Sequence, residues 1–117
     1  MKKSNYQRRW EREEVVVLVS EYFRTKNSSA EETEKSYQNL SEFLRKREKI
    51  LTGDEPTEIF RDYAGIRMQM GRIRCLDPDT HYCGMKGTKI QEKIVGEYLE
   101  NPNKLVDEAY QIYKKYE

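Results

Sequence analysis

The sequence is poor in the residues that build metal centres, disulfide scaffolds and membrane spans. Its 117 residues include one histidine, two cysteines and three prolines, with no CxxC pair. No apolar run approaches the ~20 residues of a transmembrane helix, and no apolar stretch follows the basic start MKKSNYQRRW as in a signal peptide. We therefore expect a single cytoplasmic domain over residues 1–117, with reduced thiols, no cofactor and no membrane partner.

A net charge is also nearly absent. Twenty-two basic and 21 acidic residues leave +1 at pH 7, so charge repulsion does not expand the chain. The charges are nevertheless segregated, because residues 1–10 and 64–76 carry basic side chains and no acidic ones, and residues 35–51 are also predominantly basic. If these three segments converge, they form a basic face on a neutral protein; otherwise they are solvated helix surfaces.

Apolar spacing predicts an all-α fold, with a single compact domain of about five helices. No stretch alternates with a period of two residues, whereas several repeat at three and four. The first three helices are expected to resemble a helix-turn-helix. A break in the second near residues 39–41 is left open, and residues 57–63 fit either a short helix or an extended segment. The predicted helices span about 11–25, 28–50, 64–76, 89–99 and 104–116.

The same spacing predicts the core and one structural arginine. Arg61 lies between Phe60 and Asp62, a position that suits an arginine capping a helix end or pairing with a buried carboxylate. We expect the main apolar residues of the first three helices, with Trp10, to be buried together. They are Trp10, Val15, Leu18, Val19, Tyr22, Leu40, Phe43, Leu44, Phe60, Ile66, Met70 and Ile73.

Three sequence blocks resemble a known family. They are RRWEREEVVVLVSEYF at 8–23, LSEFLRK at 40–46 and FRDYAGIRMQMGRIRCLDP at 60–78. Together they resemble the N-terminal accessory domain of bacterial HNH-type restriction endonucleases, although Trp before a Glu-rich helix also occurs in Myb/SANT-like DNA-binding domains. In the HNH family the nuclease chemistry lies in a separate domain, and an HNH site needs more than one histidine. The resemblance therefore implies a non-enzymatic, DNA-contacting module from a restriction or phage-defence context.

Basic side chains are the main candidates for contacting DNA. Arginine binds phosphates and reads guanine, and three arginines fall on the third predicted helix. Residues 1–9 form a basic arm that either follows phosphates or is a disordered tail. The candidate DNA-contacting residues are Arg67, Arg72, Arg74, Lys46, Arg47, Arg8 and Arg9.

Other potential sites have weaker support. Cys75, His81 and Cys83 are too few for a structural zinc site without Asp77 or Asp79, so no metal is expected. The loop GMKGTK at 84–89 lacks P-loop spacing and reads as a turn that at most binds an anion.

The alternative function is that of a small protein that binds a protein partner, such as an inhibitor or regulator of a defence nuclease. It is favoured by the near-zero net charge and by a tyrosine-rich C-terminus, since tyrosine is enriched at protein interfaces. Its candidate surface is Tyr110, Tyr113 and Tyr116. DNA is the leading partner, and the sequence does not indicate an oligomeric state.

Overall fold

The computed structural model describes residues 8–81 and 83–117, and it consists of five α-helices. Helices account for 69% of the described residues, and no strand occurs among them. This confirms the all-α prediction. The helices are α1 (Arg12–Thr25), α2 (Ala30–Thr52), α3 (Tyr63–Arg74), α4 (Lys89–Glu100) and α5 (Pro102–Lys115).

Helix α1 is the centre of the domain and contacts all four other helices. Its five consecutive residues Val15–Val19 are fully buried. Five consecutive helical residues cover the whole circumference, so this part of α1 is buried on every side. That burial stabilises the helix although valine has only a modest helix propensity. The predicted core included Val15, Leu18 and Val19 but not Val16 and Val17, which are equally buried.

Helix α2 is continuous, so the break left open near residues 39–41 does not occur. At its start the Ser29 side chain accepts a hydrogen bond from the Glu32 backbone amide and so caps the helix. At its end Gly53 adopts a left-handed conformation with φ of 78°, and its amide donates to the Lys49 carbonyl.

Helix α3 begins at a well-formed cap and is joined to α2 by a long connection. The Asp62 carboxylate accepts from the Gly65 amide at 2.8 Å. The connection spans residues 53–62 and includes a turn at 58–61, so the ambiguous segment 57–63 is mostly a turn. Helices α1, α2 and α3 contact one another, as in a helix-turn-helix, but that motif joins its last two helices by only about three or four residues.

Most of the predicted core forms one cluster, but Phe60 is buried outside that cluster. Ten of its twelve members are buried, whereas Trp10 and Phe43 are only partly buried. Phe60 is buried beneath guanidinium groups, with those of Arg61 and Arg8 at 4.4 and 5.4 Å from its ring centroid. Helices α4 and α5 complete the core with the residues of their apolar faces, namely Ile94, Val95, Leu105, Ala109, Ile112 and Tyr116.

A buried ion pair joins α1 to the turn before α3. The Arg61 side chain is 1% exposed and donates from Nε to the fully buried Glu14 carboxylate at 2.9 Å. Its guanidinium also lies 3.9 Å from the Trp10 ring centroid. Of the two structural roles predicted for Arg61, pairing with a buried carboxylate is confirmed. Although burial alone would raise the pKa of Glu14, hydrogen bonds from Arg61 and Arg8 hold it below its usual value.

The domain is expected to lose stability in acid. Burial tends to raise the pKa values of several carboxyls, but hydrogen bonds from cationic partners leave those of Glu13, Glu14, Glu21 and Asp77 lowered. Groups with lowered folded pKa values stabilise the fold fully above their unfolded pKa of about 4. That contribution is lost as the pH falls through the folded pKa values.

Urea unfolding at pH 7, 5 and 3 tests this expectation. The free energy of unfolding should change little from pH 7 to 5 and fall steeply by pH 3. The variant Glu31→Gln is a matched control, because Glu31 is exposed and its carboxylate has no ion pair among the described residues. It should show the same pH dependence as the wild type, and a wild-type stability independent of pH would contradict the account.

Candidate nucleic-acid interface

Some arginines of this chain form ion pairs with glutamates and others do not. Five of the ten form ion pairs with glutamates, and Arg45 donates to the backbone carbonyls of Thr57 and Phe60. The paired arginines are Arg8, Arg12, Arg24, Arg47 and Arg61. Besides Arg45, the arginines within residues 8–81 and 83–117 that have no carboxylate partner are Arg9, Arg67, Arg72 and Arg74.

Three of these four unpaired arginines lie on α3, whose apolar side is buried in the core. Ile66, Met70 and Ile73 anchor this helix, which leaves Arg67 and Arg74 exposed together on one flank. Both guanidinium groups act on Tyr37 of α2. Burial raises the pKa of the Tyr37 phenol, and the positive charges of Arg67 and Arg74 partly oppose that rise.

Arg72 lies on the other flank of α3 and is held by the loop that follows the helix. Its Nη1 donates to the Lys86 carbonyl at 2.7 Å. The same loop places Met85 over Gly71 and Gly87 against Leu76. The loop therefore covers part of the outer face of α3, between the two arginine flanks.

Replacing each of two glycines at this contact by alanine should change the stability of the domain in opposite directions. At Gly71 a new Cβ would lie 2.7 Å from Met85 Sδ, but the exposed Met85 side chain can swing aside. Gly71→Ala should therefore be neutral or stabilising by up to about 1 kcal/mol, because alanine favours the helix. At Gly87 the new Cβ would lie 2.5 Å from Leu76 Cδ1, which packs against the core. Gly87→Ala should cost about 1–3 kcal/mol, and thermal unfolding of both variants checks this ordering.

The two cysteines correct the expectation of reduced thiols. The loop brings Cys83 back to the end of α3, where it is paired with Cys75 as a disulfide with Cα atoms 5.3 Å apart. Sequence spacing did not reveal this, because eight residues separate the two cysteines and a folded loop brings them together. The argument from thiols for a cytoplasmic location is thereby lost. Among the described residues no group of three or more side chains is arranged to hold a metal ion.

The structure does not place every predicted DNA-contacting residue beside α3. Arg47 is only 4% exposed and pairs with Glu11 and Glu13. Arg8 is tied to Glu14 and Glu48. Both serve ion-pair networks inside the domain that the sequence did not reveal, because their partners lie far away along the chain.

Lys46 is exposed but points away from α3. It follows Tyr37 by nine residues on α2, which is about 180° around a helix, and Tyr37 packs towards Tyr63 of α3. Arg9 is exposed and lines the same cavity as Arg72. Most of the predicted basic arm, residues 1–7, lies outside the described residues.

The predicted tyrosine surface is divided between the core and the solvent. The buried Tyr116 donates its hydroxyl to Glu13, which Lys115 also pairs with. Tyr113 packs against Phe43 with ring centroids 4.7 Å apart. Only Tyr110 is largely exposed, at 56%, and Val106 lies one turn before it.

Comparisons with known proteins leave the resemblance without independent support. No helix among the described residues has the length and apolar character needed to cross a bilayer. No protein-family model, no curated protein and no solved structure matches the chain.

Proposed function

We propose that this chain is a non-catalytic DNA-binding module whose contact surface is the exposed side of α3. The observation that carries the proposal is the set of unpaired arginines on one helix. Three arginines lie within 63–74, and no acidic residue occurs in that helix. Elsewhere the chain neutralises most of its arginines with glutamates, so the exception on α3 leaves positive charge available to an external anion.

The geometry favours contacts to the phosphate backbone over base reading. Arg67 and Arg74 reach solvent from the flank of α3 that faces α2, whereas Met85 and the rest of the loop cover the middle of the outer face. A helix covered in this way does not enter the major groove over its full width. Phosphate contacts determine affinity and register but carry little sequence information.

The restriction or defence context is a further part of the proposal and depends only on the resemblance of residues 8–78. The motif FRDYAGIRMQMGRIRCLDP contains Arg61 and all three α3 arginines. In this fold Arg61 is a structural residue, whereas Arg67 and Arg74 are exposed and Arg72 is partly exposed. That division suits a module that positions DNA for a nuclease domain elsewhere.

A binding assay with a double variant tests the proposal. Duplex DNA carrying a fluorescent label is titrated with wild type and with R67Q/R74Q at low salt, and anisotropy is measured. We expect the double variant to lose most of the binding, because each guanidinium removed is a charge-assisted phosphate contact. Its thermal unfolding should remain close to wild type, since both side chains lie off the core.

The matched control removes the same charge from a different surface. Lys104 and Lys114 are exposed on α5, which does not contact α3. The variant K104Q/K114Q should bind within about twofold of wild type, apart from a small non-specific effect of net charge. Equal losses in the two double variants would contradict a role specific to α3, and no wild-type binding at low salt would overturn the proposal.

The protein-binding alternative stays a prediction with a smaller surface than the sequence suggested. Of its three tyrosines only Tyr110 is available, beside Val106. This pair is small for a stable interface, which typically involves about 20–30 residues a side. The arginines of α3 therefore support the DNA proposal better than α5 supports the alternative.

A further inference from the structure

A cavity of about 600 Å³ lies between the start of α4, the flank of α3 that carries Arg72, and the residues before α1. It is separate from the exposed flank of Arg67 and Arg74. Ligand pockets in proteins typically measure about 300–1,000 Å³, so its size suits a small organic group. Its lining residues are Arg9, Trp10, Gln69, Arg72, Thr88, Lys89, Ile90 and Gln91.

The rim of this cavity is cationic. Arg9, Arg72 and Lys89 all line it, and no carboxylate among the described residues pairs with any of them. The Lys86 carbonyl accepts from Arg72 Nη1 and so holds that guanidinium in place. The rim therefore suits a phosphate group.

The walls are mostly apolar and include an aromatic ring. The Trp10 indole is held in position by the Arg61 guanidinium, which lies 3.9 Å from its ring centroid. Ile90 contributes a second apolar wall. A fixed indole offers a flat ligand a contact with little loss of side-chain entropy, as in proteins that stack unpaired bases.

Polar groups between rim and wall complete the site. Gln91 Nε2 donates to Gln69 Oε1 at 2.6 Å, and Gln91 Oε1 accepts from the Thr88 amide at 3.0 Å. These bonds orient the Gln69 carboxamide, and no described residue accepts a hydrogen bond from its Nε2. That NH₂ group is available to an acceptor on the edge of a base.

We propose that this cavity binds a single unpaired nucleotide, with its base against Trp10 and Ile90 and its phosphate at Arg9, Arg72 and Lys89. The base is unpaired because a base that is stacked and paired within a duplex cannot reach into a recessed cavity. The inference rests on the proposed function, since it assigns a second nucleic-acid contact to the same module. The nucleotide is either free or part of a strand, and the test distinguishes these sources.

Trp10 provides the measurement, because it is the only tryptophan in the chain. Its fluorescence is titrated at low salt with thymidine 5′-monophosphate, with the single strand (dT)8 and with inorganic phosphate. We expect the strand to change the emission at lower concentration than phosphate does. A response to the free nucleotide as well identifies a pocket for nucleotides in general, whereas a response to the strand alone identifies a nucleotide held within a chain.

Two double variants localise the response. R9Q/K89Q should weaken binding by about tenfold or more, since two charge-assisted contacts are lost. K104Q/K114Q removes the same charge away from the cavity and should stay within about twofold of wild type. Equal affinities of R9Q/K89Q and wild type would overturn the inference, as would a response to inorganic phosphate equal to that of the nucleotide and the strand.

Duplex binding separates this inference from the proposed function. If wild type binds labelled duplex through Arg67 and Arg74 but neither nucleotide nor strand changes Trp10 emission, the cavity proposal alone fails. If duplex, strand and nucleotide all fail to bind at low salt, both proposals fail.

Discussion

Replacing Glu14 by glutamine is expected to destabilise the domain by about 3–5 kcal/mol, the range for breaking one side of a buried ion pair. Glu14 is fully buried and accepts from Arg61 and Arg8. Glutamine keeps the shape and can still accept the hydrogen bond from the Glu11 amide, which Glu14 Oε1 accepts at 2.9 Å. The loss of stability therefore measures the effect of removing the Glu14 charge, because Arg61 is left buried without its anion. Urea unfolding at pH 7 measures it.

A second variant shows whether the penalty comes from the unpaired cation. Replacing both partners, Glu14→Gln with Arg61→Met, removes the buried charge together with its counterion. Arg8 keeps Glu48 as its carboxylate partner. The double variant should be more stable than Glu14→Gln alone. A loss below about 1 kcal/mol for Glu14→Gln, where a few kcal/mol is expected, would contradict the buried pair.

Replacing Phe60 by alanine should cost about 3–5 kcal/mol, as for other buried phenylalanines. The ring is 6% exposed and supports two guanidinium groups, those of Arg61 and Arg8. Its removal leaves a cavity and takes away one aromatic face next to Arg61.

The adjacent residue provides the control for this prediction. Ile59 is 47% exposed in the same turn, so Ile59→Ala should cost less than about 1 kcal/mol. Thermal and urea unfolding of both variants give the comparison. Equal effects at the two positions would mean that the turn does not bury Phe60 as described.

The sequence predicts the local elements of this fold better than the long-range contacts between them. Helix positions, the Ser29 cap and the structural role of Arg61 follow from spacing and residue type over a few neighbours. That Arg61 pairs with Glu14 depends on a contact between residues 47 positions apart. No local pattern encodes such a contact.

The candidate site shows the same division. Periodicity on α3 separates Arg67 and Arg74 from its core residues, and both are exposed. Arg8 and Arg47 looked equivalent to them in the sequence, yet both are used in ion pairs with glutamates. The sequence alone does not show which arginine pairs with a distant glutamate and which one remains exposed to solvent. The cavity beside Trp10 is assembled from three separate segments and was missed for that reason.

The salt dependence of DNA binding tests the central claim most directly, namely that Arg67 and Arg74 contact phosphates. The logarithm of the association constant for duplex DNA is measured against the logarithm of salt concentration for wild type and R67Q/R74Q. Each phosphate contact contributes a slope of about −0.9 for B-DNA, so the slope of the double variant should be shallower by about 1.8. Slopes that are equal for the two proteins would contradict the account.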